Sequence, residues 1–187
     1  MPLSLPRTIR RSCVAAVAAT LFAVLALLGP GGAAPANAAT YCGFDVSVTI
    51  HSDNPYRDLV VALPKPYDAN GTQPIMWSHL SNQNQRWCPV PIGTTQFEYR
   101  NALSGKCLTA AGPPVNGTPV NQQACGGSTY QRWTVNKATA GSALKNVGTG
   151  GCLDVIEKNA NAGAKLQIWG CNYSAWNQTW WFGRYGD

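Results

Sequence analysis

Gln131-Arg132-Trp133 is the stretch of sequence that decides the fold, because the same triplet of glutamine, any residue and tryptophan occurs twice more. The other copies, Gln85-Arg86-Trp87 and Gln178-Thr179-Trp180, lie 46 residues before it and 47 residues after it. A fixed period in the range of about 20 to 50 residues is typical of an internal repeat. Asn70-Gly71-Thr72 and Asn116-Gly117-Thr118 keep the same 46-residue spacing. The chain therefore contains three diverged copies of one structural unit.

The N-terminus has the pattern of a secretory signal peptide. Three arginines within the first eleven residues precede an apolar run from Val14 to Leu28, which is too short for a comfortable membrane span. Arg10-Arg11 would also suit twin-arginine export, although an ordinary basic region needs only these residues. Ala36-Asn37-Ala38 is typical of a signal-peptidase site. We therefore expect residues 1–39 to be removed and residues 40–187 to form one secreted, extracellular domain.

The charge pattern argues against a nucleic-acid partner. The expected signal peptide holds three arginines and no acidic residue, so its removal lowers the net charge from +6 to +3. The remaining basic residues are scattered, whereas a nucleic-acid-binding surface needs a stripe or patch. We therefore expect no nucleic-acid partner. No second apolar stretch is long enough to span a membrane, and no sequence motif indicates a cofactor.

The cysteines indicate a disulfide-bonded domain. Cys13 is expected to leave with the signal peptide, and an even number of cysteines in an oxidising compartment predicts disulfides. The repeat chooses among the possible pairings, because copies two and three each hold a pair at matching places, 18 and 19 residues apart. No cysteine or histidine pair has the spacing of a zinc site, so we expect no metal. The predicted disulfides are Cys42–Cys88, Cys107–Cys125 and Cys152–Cys171.

The local pattern is that of short strands and turns. Charged residues are scarce, and Gly, Asn, Thr and Pro separate short runs of Val, Leu, Ile, Tyr and Trp. Asn116-Gly117 is typical of a tight hairpin turn. No segment longer than a few residues has a helical apolar period, so we predict an all-β chain. In copy two the predicted strands are Phe97–Arg100, Lys106–Thr109, Pro119–Gln122 and Arg132–Val135.

The number of copies indicates how the strands are arranged. Four strands in each copy would also suit a propeller blade, but three blades are too few to close a ring. Three units of about 46 residues instead suit a closed barrel capped by three hairpins, with pseudo-threefold symmetry. We expect Gln85 and Gln131 to hold backbone groups together. The repeats run over roughly 42–93, 94–138 and 139–187. The expected core tryptophans are Trp87, Trp133 and Trp180.

These motifs resemble the ricin B-type lectin domain, which is also called a family 13 carbohydrate-binding module. The resemblance rests on the three Gln-x-Trp triplets, the Asn-Gly-Thr turns, and the openings Gly105-Lys106-Cys107-Leu108 and Gly150-Gly151-Cys152-Leu153. It covers nearly all of residues 40–187. The resemblance implies a β-trefoil fold and a carbohydrate-binding function.

Copy three contains every group that a neutral sugar needs. Sugar hydroxyls require a carboxylate and amides, and the C–H face of the ring stacks on an aromatic side chain. The resemblance implies that Asp154, expected at the rim, accepts from two hydroxyls, while Trp169 stacks and Asn177 bonds a hydroxyl. It also implies that Gln167 lines the pocket and Gln178 steadies Asp154. The alternatives are a carboxylate satisfied by neighbouring backbone and a tryptophan that belongs to the core.

The other copies have lost this set. At the positions of Asp154, Trp169 and Asn177, copy two holds Thr109, Gln123 and Tyr130. Copy one reads Val60-Val61-Ala62-Leu63 where Cys-Leu-Asp should stand, and Ile75 replaces the amide. It keeps Trp77, Asn84 and Gln85 but has no acid near the right place. We therefore expect one competent site among three.

Catalysis has little support in the sequence. A glycosidase needs two carboxylates facing each other across the bond, and Glu157 begins a polar loop that we expect in solvent. His51 and His79 lie in no nucleophile motif. We therefore predict a non-catalytic lectin for galactose-type sugars or plant-cell-wall glycans. The alternative is an interaction subunit that holds a protein partner, although the preserved third site argues against it.

Overall fold

In a computed structural model, the described residues are 46–184, and they form short β-strands, four in each repeat. Repeat one contributes β1 (Thr49–Ser52), β2 (Leu59–Ala62), β3 (Ile75–Ser78) and β4 (Trp87–Ile92). Repeat two contributes β5 (Gln96–Asn101), β6 (Cys107–Ala110), β7 (Thr118–Gln123) and β8 (Trp133–Lys137). Repeat three contributes β9 (Ser142–Asn146), β10 (Cys152–Val155), β11 (Leu166–Trp169) and β12 (Trp180–Gly183).

The secondary structure confirms the all-β prediction. The four strands predicted for copy two match β5 to β8 within one or two residues at each end. Across residues 46–184 the helices are single 3₁₀ turns, and no helix in that range is long and apolar enough to cross a bilayer. These turns are Gln83–Gln85, Thr129–Gln131, Ile156–Lys158 and Trp176–Gln178.

The first and fourth strands of each repeat form a closed barrel. Antiparallel pairing runs from β1 to β12, β9, β8, β5 and β4 in turn. Two backbone hydrogen bonds of 2.8 Å between Val48 and Trp87 close the ring. Closure leaves no free strand edge in this layer.

The second and third strands of each repeat form three hairpins that cap the barrel. Each hairpin turn contains a glycine with a φ between 84° and 89°, which a side chain would disfavour. Each of these glycines donates its N–H to the third strand of another repeat: Gly71 to the Gln122 carbonyl (2.8 Å), Gly117 to the Ile168 carbonyl (2.9 Å) and Gly163 to the Met76 carbonyl (2.8 Å). The threefold arrangement confirms the predicted β-trefoil.

The tryptophans of the Gln-x-Trp triplets occupy equivalent places in the core. Each is 0 % exposed, and each indole N–H donates to the backbone of the second strand of its own repeat. A buried tryptophan needs such a partner for its one polar atom. The predicted core role is therefore confirmed. The bonds join Trp87 to the Val61 carbonyl (3.0 Å), Trp133 to the Leu108 carbonyl (3.0 Å) and Trp180 to the Leu153 carbonyl (3.2 Å).

The glutamines of the triplets hold backbone groups, as predicted. Gln85 accepts from the Leu80 N–H at 2.8 Å and donates to the Ser78 carbonyl at 2.7 Å. Gln131 repeats this pattern with the Gly126 N–H at 2.8 Å and the Ala124 carbonyl at 2.9 Å. Each amide therefore fixes the segment that follows the third strand of its repeat.

Two of the predicted disulfides are confirmed. Cys107–Cys125 and Cys152–Cys171 close within repeats two and three, with Cα atoms 5.1 Å and 5.0 Å apart. Cys88 is also disulfide-bonded, and its predicted partner Cys42 lies outside the described residues. The predicted signal peptide lies outside them as well.

Repeat one has other residues at the positions that form the disulfides of repeats two and three. Val60 lies opposite Trp77 as Cys107 lies opposite Gln123. Val60 is therefore equivalent to Cys107. His79, two residues after Trp77, is equivalent to Cys125, two residues after Gln123. The His79 ring contacts the His51 ring, with 5.0 Å between centroids.

His51 is buried, and its ring contacts Trp181, Asp58 and Thr49. Its ring stacks on that of Trp181 with 3.6 Å between centroids. Its Nδ1 bonds Asp58 and its Nε2 bonds the Thr49 hydroxyl, each at 2.7 Å. Burial lowers the pKa of His51, although the Asp58 carboxylate opposes this effect. Both ring nitrogens therefore form hydrogen bonds within the protein.

Candidate functional site

The β10–β11 hairpin and the turn before β12 bring the five predicted site residues into one cleft. The strand register places Asp154 opposite Gln167. The Trp176–Gln178 turn adds Asn177 and Gln178 from the other side. The cleft has a volume of about 440 Å³. Its lining consists of Asp154, Ile156, Glu157, Lys158, Gln167, Trp169, Gly170, Asn172, Ala175, Asn177 and Gln178.

Asp154 is held by side-chain amides. Its Oδ1 accepts from Gln167 Nε2 at 2.8 Å, and its Oδ2 accepts from Asn177 Nδ2 at 2.6 Å and Gln178 Nε2 at 2.9 Å. The expectation that Asp154 lies at the rim is wrong, because these three amides surround the carboxylate and leave the residue 3 % exposed. The alternative of a carboxylate satisfied by neighbouring backbone is wrong too, since its donors are side chains.

The environment of Asp154 shifts its ionisation. Burial raises the pKa of this carboxyl above its ordinary value of 3.8. Donation from Gln167 and Gln178 and the positive charge of Lys158 act in the opposite direction. The carboxylate is therefore a pre-oriented acceptor whose charge costs more than that of an exposed aspartate.

Asn177 carries an acceptor that the protein does not use. Its Nδ2 donates to Asp154 and, at 3.3 Å, to the Val155 carbonyl, which fixes the orientation of the amide. Its Oδ1 is buried and has no hydrogen-bond partner among residues 46–184. A buried acceptor without a partner is costly, so this oxygen is suited to a donor that arrives with a ligand.

Trp169 is 44 % exposed and lines the cleft, so it does not belong to the core. It lies opposite Cys152 on the neighbouring strand. Gln178 is buried and also bonds the Asn172 N–H at 2.6 Å and the Gly170 carbonyl at 3.1 Å. Gln178 thus performs the structural role of Gln85 and Gln131 and, in addition, holds Asp154.

Sequence reasoning missed the turn Ile156–Lys158, whose residues line the cleft next to Asp154. Glu157 is exposed, as expected, and it also lines the cleft. Glu157 and Lys158 have φ values of 56° and 54°. Left-handed backbone is normally marked by glycine or asparagine, so the sequence contains no signal for this turn.

The equivalent positions in the other repeats lack the same groups. Thr109 lies opposite Asn121 and Ala62 lies opposite Ile75, where repeat three places Asp154 opposite Gln167. Trp77 is 43 % exposed and matches Trp169 in register. The positions equivalent to Asp154, which are Thr109 and Ala62, therefore hold no carboxylate, as the sequence predicted.

The second half of the chain matches a known family. Residues 95–187 match the ricin-type β-trefoil lectin domain. These residues belong to the ricin-type β-trefoil lectin family. The match begins where repeat two begins. No curated protein matches the chain.

Several solved structures have a fold similar to that of this chain, and a ricin B-like lectin is among them. The designed threefold-symmetric protein ThreeFoil is 21 % identical with a TM-score of 0.70, over 74 % of this chain and 99 % of its own. The Macrolepiota procera ricin B-like lectin in complex with lactose is 22 % identical with a TM-score of 0.62, over 76 % and 98 % of the two chains. An exo-β-1,3-galactanase from Clostridium thermocellum is 20 % identical with a TM-score of 0.67, over 74 % of this chain and 30 % of its own.

The family and the lectin structures together support a carbohydrate-binding role. A ricin-type lectin domain suggests binding without catalysis. The galactanase match covers under a third of that enzyme, so it is a likeness of fold and transfers no activity.

Proposed function

We propose that this protein is a secreted lectin that binds a galactose-type sugar through the cleft of repeat three. The observation that carries the proposal is the buried Asn177 Oδ1, which has no partner among the described residues and lies beside a carboxylate. Two neighbouring acceptors in one cleft suit two neighbouring hydroxyl donors of one sugar ring.

The hydrogen bonds around Asp154 limit what the carboxylate does. An ionised carboxylate offers about four acceptor positions, and three are taken by Gln167, Asn177 and Gln178. We therefore assign one sugar hydroxyl to Asp154 and the next to Asn177 Oδ1, instead of two to Asp154. The exposed face of Trp169 takes the C–H side of the same ring.

The test compares two tryptophans that differ only in their surroundings. We expect Trp169→Ala to weaken sugar binding about tenfold or more, because it removes the stacking surface. Trp77→Ala is the matched control and should leave the affinity unchanged, because its position has no carboxylate. Each purified variant is titrated with the best ligand from an array of galactosides and xylans. Full binding by folded Trp169→Ala would move the site elsewhere.

A second candidate function is that of an interaction subunit. Repeat one lacks the site and exposes Tyr56, Trp77 and Leu80, and exposed aromatic residues are common at protein interfaces. Repeat three would then have no sugar ligand. Binding to no glycan, combined with a specific partner captured through repeat one and lost in Trp77→Ala, would favour this function.

A further inference from the structure

The turn Ile156–Lys158 is the feature of the cleft that the proposed sugar contacts do not use. Glu157 and Lys158 are consecutive non-glycine residues with left-handed backbone. Such residues are disfavoured and tend to occur at functional sites. Among the described residues, the segments that follow β2 and β6 contain neither a 3₁₀ turn nor a left-handed residue at the corresponding place. The conformation is therefore specific to the repeat that holds the cleft.

Hydrogen bonds on both sides fix this turn. The Ile156 N–H donates to the Lys165 carbonyl at 3.1 Å, and the Asn159 N–H donates to the Ile156 carbonyl at 3.0 Å. Asn54, from the loop between β1 and β2, donates its Nδ2 to the Ala160 carbonyl at 3.1 Å. The backbone therefore presents the two charged side chains from a defined position at the edge of the cleft.

The two charges differ in their relation to the carboxylate. Neither Glu157 nor Lys158 forms an ion pair within residues 46–184, and both are exposed. Both side chains line the cleft that holds the hydroxyl-binding acceptors, and the positive charge of Lys158 lowers the pKa of Asp154. An ammonium without a partner at such a place attracts an anionic substituent.

Building on the proposed function, we propose that the cleft prefers a sugar bearing an anionic substituent, a carboxylate or a sulfate, and that Lys158 binds this group. Asp154 and Asn177 hold the ring hydroxyls, as they do for a neutral sugar. Glu157 limits the preference, because its negative charge lies next to Lys158 in the same turn.

The experiment uses methyl galactoside and methyl galacturonide, which differ in one substituent of the ring. We expect the wild type to bind the galacturonide about two- to fivefold more tightly, the range for one exposed ion pair. This preference should shrink at high salt. Lys158→Gln should make the affinities for the two sugars equal, whereas Glu157→Gln should increase the preference for the galacturonide. Lys137→Gln, at an exposed lysine of β8, is the control and should change nothing.

The outcomes separate this inference from the proposed function. Equal wild-type affinities for the two sugars, or a preference that persists in Lys158→Gln, would overturn the role of Lys158 while the galactose-type site stands. Binding of neither sugar by the wild type would overturn both. Methyl 6-sulfogalactoside shows whether a sulfate is taken like the carboxylate, and circular dichroism confirms that each variant is folded.

Discussion

Repeats two and three share a structural frame, which consists of the four strands, the core tryptophan and the triplet glutamine. They differ in the polar groups at the position of the cleft. Trp133 and Trp180 are equally buried and bond the same carbonyl position in the second strand of their repeats. Gln131 donates weakly to the Thr109 hydroxyl at 3.3 Å, whereas Gln178 donates to Asp154 at 2.9 Å. The glutamine is thus a structural residue in both repeats, and in repeat three its second N–H also positions a carboxylate. The frame of a repeat is therefore the same whether or not the repeat holds the candidate site.

The largest expected effect tests whether the frame is shared. Trp133→Ala should lower the free energy of unfolding by about 3–5 kcal/mol, the usual cost of removing a buried tryptophan. Trp180→Ala should cost a similar amount, because its burial and its indole hydrogen bond are equivalent. Chemical denaturation followed by fluorescence measures both. A stable Trp133→Ala variant that no longer binds sugar would break the separation between frame and site.

The next effect tests whether the chemistry is confined to repeat three. Asp154→Asn keeps the shape of the side chain but removes the charge and one acceptor. Hydrogen bonds to a charged group are worth about 1.5–3 kcal/mol each, so we expect sugar affinity to fall at least about tenfold. Calorimetric titration is the measurement. Because Asp154 is buried and holds three amides, this variant should also lose stability, and its melting curve must be recorded beside the titration.

The control for Asp154→Asn is the equivalent position in repeat two. Thr109→Ala should leave sugar affinity within a few tenths of a kcal/mol, the usual range for a change that touches no ligand. An equal loss of affinity in both variants would show that repeat two also binds sugar.

The pH dependence of sugar affinity is a further test of Asp154 in repeat three. The proposed sugar contacts require ionised Asp154, and burial raises the pKa of this carboxyl above 3.8. Affinity should therefore fall, as the pH decreases, at a higher pH than an ordinary aspartate would cause. The same shift means that the folded state holds the proton more tightly than the unfolded state, so this group lowers stability as the pH rises from 3.8 through the folded pKa. Titrations between pH 7 and pH 4 measure the affinity, and affinity that is constant down to pH 4 would contradict the assignment.

The smallest effect belongs to repeat one. Burial lowers the pKa of His51 below 6.5, so the unfolded state binds a proton more readily than the folded state does. Stability should therefore decrease as the pH falls through 6.5, until the pH reaches the folded pKa. The equivalent strand positions in repeats two and three hold Arg100 and Lys145 instead of a histidine. His51→Gln should reduce the pH dependence of the melting temperature near pH 6, and an unchanged profile would assign that dependence to other groups.

The sequence alone predicted the frame because the frame is periodic. The spacing of Trp87, Trp133 and Trp180 follows from the repeat, and the resemblance then indicated the residues of the cleft. The burial of Asp154 could not be predicted, because alternation along a strand says which face a residue is on and not what covers it. The conformation of Glu157 and Lys158 was missed for a related reason, since neither residue type signals left-handed backbone.

The bonds between hairpin turns and neighbouring repeats have a consequence for the origin of such a chain. Each repeat contacts the next in the same head-to-tail sense, from Gly71 to Gln122, from Gly117 to Ile168 and from Gly163 back to Met76. A head-to-tail contact whose rotation closes produces a ring, and here the ring closes after three units. An ancestral gene encoding one repeat would thus yield a homotrimer of the same shape, and duplication with fusion would convert that trimer into a single chain. After fusion, each copy is free to diverge separately, which allows one copy to hold the candidate site while the other two retain only the architecture.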